Sequence, residues 1–314
     1  MARSLALSRG LQQIGGMLDS RKLWVVARFE LLEAVRSRLF LVAIVLYGAG
    51  AALGSYVFLK ALGAAETTAR QALAANLGVP EATLAPNLIR EKALPMFASL
   101  IEDESIRQEV LRMPPLSIFY GYMALNFVAV LVLVVSSGTM AQDIATGAAR
   151  YTLFRCDRLT WAVGKLLGQQ AVLAAGLVAG AAMAGVVGMQ LDVGFEPTTW
   201  LWLLRVSFRA WLYANAYLGI FAGISLVAGS PLKARAASLF AWIGIGILQS
   251  LASSEFVNAR LPFMHYLALI FPAAHRQSLW SPSLIVYIPA AIALLAIGCG
   301  GFALGHSVFQ RRDA

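Results

Sequence analysis

The sequence predicts an all-α polytopic membrane protein, and three observations carry that prediction. Charged residues make up 13% of the chain and hydrophobic ones 59%, whereas an ordinary soluble domain carries about 25% charged residues. A soluble fold of 314 residues needs polar cover and could not hide so much apolar side chain. Apolar residues also gather in six runs, each near the roughly 20 residues that a spanning helix needs. Finally, Lys and Arg concentrate in alternate connections between those runs, the asymmetry that orients membrane proteins. The expectation is six transmembrane helices, an N-terminal interfacial helix, and a small helical external domain between the first two spans.

Residues 1–38 precede the first run. Met1 to Ser20 has no apolar core of signal-peptide length, being interrupted by Arg3 and Arg9, and reads as a retained cytoplasmic leader. From Lys22 to Arg38, the residues Trp24, Ala27, Leu31 and Val35 fall three or four apart, which puts them on one helical face. Arg21, Arg28 and Arg36 cluster on another. A basic helix with an aromatic and aliphatic stripe, directly ahead of a span, suits the membrane interface. The other reading makes it an N-terminal extension of the first span.

The first span is expected at 39–59. Residues 60–117 are too many for a linking turn and show helical patterns at Ala64–Leu77 and Ile101–Leu111, broken at Gly78-Val79-Pro80 and Ala85-Pro86. They read as the external helical domain. Its Glu102-Asp103-Glu104 run fits a solvated acidic helix face better than a cation site. Pro114-Pro115 closes the domain, and the second span follows at 118–140. The third, 166–191, carries Gly176, Gly180 and Gly185, suited to close helix packing. The fourth lies in 200–228, where Arg205 and Arg209 share a face near the outer end. Lipid headgroups are their expected contact, with an anionic substrate as the other choice. A tight basic turn at 229–235 leads to the fifth span, 236–252. Residues 253–283, broken by Pro262 and Pro272, either re-enter the membrane or form a plain external loop. The sixth span is 284–304, and 305–314 form a tail.

The basic residues set the orientation. Arg21 to Arg38, Arg150 to Lys165, Lys233, Arg235, Arg311 and Arg312 fall on one side. The positive charges of 60–117 are offset there by seven carboxylates, from Glu66 to Glu109. The net charge of +9 is therefore read as topology, with both termini cytoplasmic, and not as a nucleic-acid surface.

Several chemistries lack their residues. Gly164-Lys165 fails the phosphate-loop pattern twice, with Leu159 in place of Gly and Leu166 in place of Ser or Thr. His265, His275 and His306 lack metal-ligand spacing. Cys156 and Cys299 offer no disulfide framework. No catalytic, metal or cofactor site is expected. Within the spans, Asn126, Asn215 and Gln249 either line a translocation path or hydrogen-bond neighbouring helices.

The most specific stretch is Ala141 to Lys165, between the second and third spans. Asp143, Gly147, Leu153, Arg158, Gly164, Lys165 and Gly168, together with the ending Phe309-Gln310-Arg311-Arg312-Asp313, resemble the permease subunits of the type-2 ABC exporter family. Ala148 stands where the family commonly has Thr, and Cys156-Asp157 where a Pro often precedes the Arg. The resemblance implies that a short helix here docks into a groove on a separate ATPase, two copies of which serve a homodimer or a pair of related permeases. Tyr151, Leu153 and Phe154 would fill that groove while Arg150, Arg155 and Arg158 meet its acidic rim. ATP and Mg would reside in the partner, and the setting would be a bacterial cytoplasmic membrane. Two other classes compete: a transmitter or scaffold moved by an ATPase without passing substrate, and an ATP-independent secondary transporter. The latter expects mid-span carboxylates, and the six runs hold none.

Overall fold

The computed structural model describes residues 19–78, 80, 103–191, 195–254 and 264–311. Among them every regular element is helical: α1 (Ser20–Arg36), α2 (Arg38–Leu77), α3 (Glu104–Arg112), α4 (Pro115–Ser136), α5 (Thr139–Thr146), α6 (Ala148–Leu153), α7 (Arg158–Leu191), α8 (Thr199–Val227), α9 (Pro231–Ala252), α10 (Met264–Ala268) and α11 (Leu284–Gln310). Two 3-10 turns, Pro272–His275 and Ser278–Trp280, join α10 to α11. Six helices are long and apolar enough to cross a membrane: α2, α4 continued into α5, α7, α8, α9 and α11. The expected all-α, six-span class is what the chain forms. The leader before Asp19, the Ala85-Pro86 break, the Glu102 start of the acidic run, Pro262, and Arg312 and Asp313 of the tail lie outside the described residues.

Three helices exceed the apolar runs that announced them. α2 continues without a break from Arg38 through Lys60 to Leu77, ending at Gly78 in the left-handed region with φ 64°. Forty helical residues span about 60 Å, twice the ~30 Å hydrocarbon core, so α2 carries its Ala-rich second half beyond one face. α7 begins at Arg158, two turns ahead of the apolar stretch, because Asp157 caps it: the carboxylate accepts the Thr160 N–H at 2.8 Å and the Thr160 hydroxyl at 2.6 Å. α11 runs on to Gln310.

α8 is the central helix, buried along most of its length and packed against α4, α7, α9 and α11. Its contact with α11 is backbone to backbone. A Cβ on Gly219 or Gly223 would collide with main-chain atoms of Gly298 or Gly301, so glycine on both sides permits the approach. α9 and α11 keep most of their outward surface uncovered, as helices do when lipid or another subunit supplies the apolar surroundings. α1 lies along α7, and α2 along both α7 and α4.

At one end of the bundle, α3 docks onto α8. Glu109 is buried and pairs with Arg205 at 3.0 Å and Arg209 at 3.3 Å. The two arginines thus answer a carboxylate of the external helix where the spacing alone suggested headgroups. Arg209 also lies 6.0 Å from the centre of the Trp280 ring, which ties the segment before α11 to the same place.

Candidate functional site

The polar chemistry at the opposite end converges on one side chain. Lys165, in the second turn of α7, is 4% exposed. Its ammonium lies 2.5 Å from the Glu30 carboxylate of α1 and 2.5 Å from Asp143 of α5, with Glu33 at 3.9 Å. Glu30 is itself 3% exposed. A buried charge persists only when it is paired and its remaining hydrogen-bond capacity is met. Here Gln169 donates from its side-chain amide to Glu30, and Ser136 at the end of α4 donates to the Gln169 oxygen at 2.7 Å. One network therefore ties α1, α4, α5 and α7. Glu33 stands at its edge, about half exposed. Burial pushes its carboxyl above the ordinary range, against the pull of Lys165 and with the push of Asp143 and Glu30.

The backbone permits this close meeting through Gly164 and Gly168. A Cβ at Gly164 would lie 2.8 Å from the Val26 side chain, and one at Gly168 would lie 2.6 Å from Cβ of Glu30. Small residues one helical turn apart let α1 settle against α7, and that contact fixes which face of α1 points inward. Val26, Ala27, Glu30, Leu31 and Ala34 form it. The stripe read from the sequence is thus rotated: Ala27 and Leu31 face α7, while Trp24, at 68% exposed, Val35 and Arg28 face outward. The ion pair and the two glycines outweigh the aromatic residue in setting the helix's rotation.

From this base the loop between the second and third spans projects. α5 is anchored to the central helix by the Ala141 N–H donating to Ser225 Oγ of α8 at 3.0 Å. Gly147, with φ 76°, ends α5 in the left-handed conformation that glycine takes without a Cβ penalty and turns the chain into α6. Tyr151 and Phe154 then stand 78% and 87% exposed, with Arg150 and Arg155 exposed beside them. Leu153 faces the other way, packed with Val26, Ile144 and Cys156 onto the cluster of Trp161, Phe302 and Phe309. Arg158 also turns inward: its guanidinium donates to the carbonyls of Phe309 and Gln310, at 3.0 and 3.1 Å, and lies over the Phe309 ring. It therefore holds the last carbonyls of α11. Between α1 and α6 runs a groove of about 1070 Å³, with Val25 and Phe29 on one wall and Tyr151 and Phe154 on the other. Asp143 and Lys165 also line it.

The intramembrane amides do not form a comparable cluster. Asn126 accepts from Arg276 at 2.7 Å and donates to the Tyr122 carbonyl of its own helix. Asn215 is buried and donates to the Trp211 carbonyl. Gln249 sits on α9, and no hydrogen bond joins the three.

Sequence reasoning missed Glu30 and Glu33 as partners of Lys165. The available signal was a carboxylate at position 30, four and three residues after the apolar Val26 and Ala27 and next to Leu31, on the face that otherwise reads as buried.

Six apolar helices, with buried ion clusters confined to the two ends of the bundle, define a polytopic helical membrane protein with an elaborated loop after its second span. The chain belongs to the ABC-2 transporter family: the family described as ABC-2 family transporter protein matches residues 24–314. It is accordingly an ABC transporter permease, a membrane transport subunit of a family that implies an ABC ATPase as partner. No curated protein gives a significant match to the chain.

Proposed function

We propose that the chain is the non-catalytic spanning subunit through which a separate ATPase drives export, with α6 as the element the ATPase moves. Two permeases and two ATPases form the working assembly, in a bacterial cytoplasmic membrane with both chain ends on the cytoplasmic side. The observation that carries this reading is the pair of exposed aromatics, Tyr151 and Phe154, on a short helix whose base is locked to the spans. Large exposed aromatics flanked by arginines are typical anchors for a protein partner. Arg150 and Arg155 provide charge at the rim, where it steers association.

The link from loop to spans follows from the ionic network. A displacement of α5 and α6 moves Asp143, and Asp143 is bound to Lys165. Separating them would strand charge in a buried place, so α7 and α1 follow. Buried ion pairs of this kind resist sliding because only one arrangement satisfies them. Arg158 extends the same connection to the end of α11.

The test is co-purification from native membranes in mild detergent, comparing wild type with Tyr151→Ala/Phe154→Ala and with Arg155→Glu. Wild type should bring down an ATP-hydrolysing subunit, and the variants should lose it while staying folded. Equal recovery from all three would place the docking surface elsewhere. No ATPase with wild type, under several conditions, would end the ATP-driven reading.

A further inference from the structure

A second cavity lies beside Lys165, at the joint between α1 and α2, with a volume of about 530 Å³. Six helices meet around it: α1 and α2 at their joint, the last turn of α4, α5, the second and third turns of α7, and the first turns of α9. Arg36, Arg38 and Arg235 line it. None of the three side chains has a hydrogen bond or ion pair among the described residues, and all three residues are exposed. Arg235 lies across Gly138, where a Cβ would sit 3.0 Å from its Nε. The acidic groups that line the cavity, Glu30, Glu33 and Asp143, all lie within 3.9 Å of Lys165. No described carboxylate lies within ion-pair distance of the three arginines, and with Lys165 the four cations of the lining exceed its three carboxylates by one charge. The rest of its lining is mixed, polar at Thr139, Gln142 and Gln169 and apolar at Leu39, Phe40 and Val135 near the ends of two spans.

Planar guanidinium groups suit phosphate oxygens, to which they present paired N–H donors. The cavity size lies within the usual range for small-molecule sites. Span ends converge here, so the cavity sits at headgroup depth, where each basic residue also feels the negative surface potential of anionic lipid. A soluble phosphate ester would satisfy the arginines but would leave the exposed Leu39 without a partner. We propose that this cavity binds the phosphodiester headgroup of an anionic membrane phospholipid, with the upper acyl chain along Leu39, Phe40 and Val135. A headgroup held by Arg36 and Arg38 on one side and Arg235 on the other bridges the α1–α2 joint to α9. This inference does not depend on how the ATPase docks.

The test uses the full chain purified in detergent and exchanged into defined lipid. Native mass spectrometry would count retained phosphatidylglycerol and phosphatidylcholine at equal mole fraction. Wild type should favour phosphatidylglycerol by about tenfold. Arg36→Gln/Arg38→Gln/Arg235→Gln should lose that preference, and the corresponding triple Lys variant should keep part of it. Removing Arg21, Lys22 and Arg28, which do not line the cavity, should leave it intact. Wild type without lipid preference, or an equal loss in this control, would overturn the site. A thermal-midpoint shift with glycerol phosphate matching that of the lipid would assign the arginines to a soluble phosphate instead. If the Gln variant does not fold, the wild-type comparison and the Lys variant still decide the matter.

Discussion

The two ends of the bundle hold ion clusters of opposite composition. At the α6 end, the inner one in the proposed orientation, one cation, Lys165, sits between two carboxylates, Glu30 and Asp143. At the outer end one carboxylate, Glu109, sits between two guanidinium groups, Arg205 and Arg209. The difference that matters is what each cluster joins. The inner one gathers α1, α5 and α7 on a single ammonium, and Gln169 and Ser136 extend it to α4. The outer one fastens one short helix, α3, to one span. Burial differs at one member only: Glu109 and Arg209 are as closed off from solvent as Lys165 and Glu30, whereas Arg205 is 47% exposed and shares its charge with water. A cluster at the crossing of several helices can relay motion among them, while a cluster between two elements can only hold or release one.

The largest expected effect breaks the inner cluster. Lys165→Met leaves the buried Glu30 and the partly buried Asp143 without their cation and should cost about 3–5 kcal/mol, the usual penalty for removing one partner of a buried pair. Adding Glu30→Gln and Asp143→Asn removes the stranded charges, so the triple variant should recover much of the loss. Thermal unfolding midpoints in detergent measure both. A single variant no less stable than the triple would mean that the three groups do not act as a unit. The outer cluster should respond less. Glu109→Gln unpairs a buried guanidinium, worth about 1–3 kcal/mol, and Arg205→Gln should cost below about 1 kcal/mol because solvent already screens it. If Arg205→Gln were as damaging as Glu109→Gln, the outer cluster would be as tightly coupled as the inner one and the contrast would fail.

These clusters also mark where a single sequence stops being informative. The six spans were legible because length and apolarity are local properties, readable in windows such as 284–304. Their true ends were not: α7 starts at Arg158 because Asp157 caps it, and a hydropathy run cannot register a polar first turn. α2 continues past Lys60 because the Ala-rich residues beyond it favour helix as strongly as the span does. In the loop after the second span, Gly147, Tyr151 and Phe154 drew notice through a family pattern, and their φ and exposure give that pattern a physical form. Leu153 and Arg158 drew the same notice, yet pack inward, because helical spacing does not say which face the rest of the fold will cover. Glu30 lies 135 positions from Lys165, and Glu109 about a hundred from its arginines. Pairings at such distances depend on the assembled bundle and leave no mark in composition or spacing.

The smallest expected effect sharpens the comparison by supplying a support that is ionic without being buried. Asp157 holds the first turn of α7, just ahead of Lys165, but it does so from an exposed position. Burial pushes its carboxyl up, and the hydrogen bonds from Thr160, with its own backbone N–H and the nearby Lys22, together outweigh that, so the group is held below the usual carboxylate range. A carboxylate depressed in the folded state stabilises fully above its unfolded pKa, near 3.9, and that contribution fades as pH falls through the lower folded value. Asp157→Ala should therefore cost about 1 kcal/mol at neutral pH, the usual worth of an N-cap. Its deficit against wild type should shrink only below about pH 4. Thermal midpoints of both proteins from pH 7 down to pH 3 give the answer. A deficit that persists undiminished at pH 3 would mean that Asp157 acts through packing rather than charge. The start of α7 would then be held by contacts that acid does not reach.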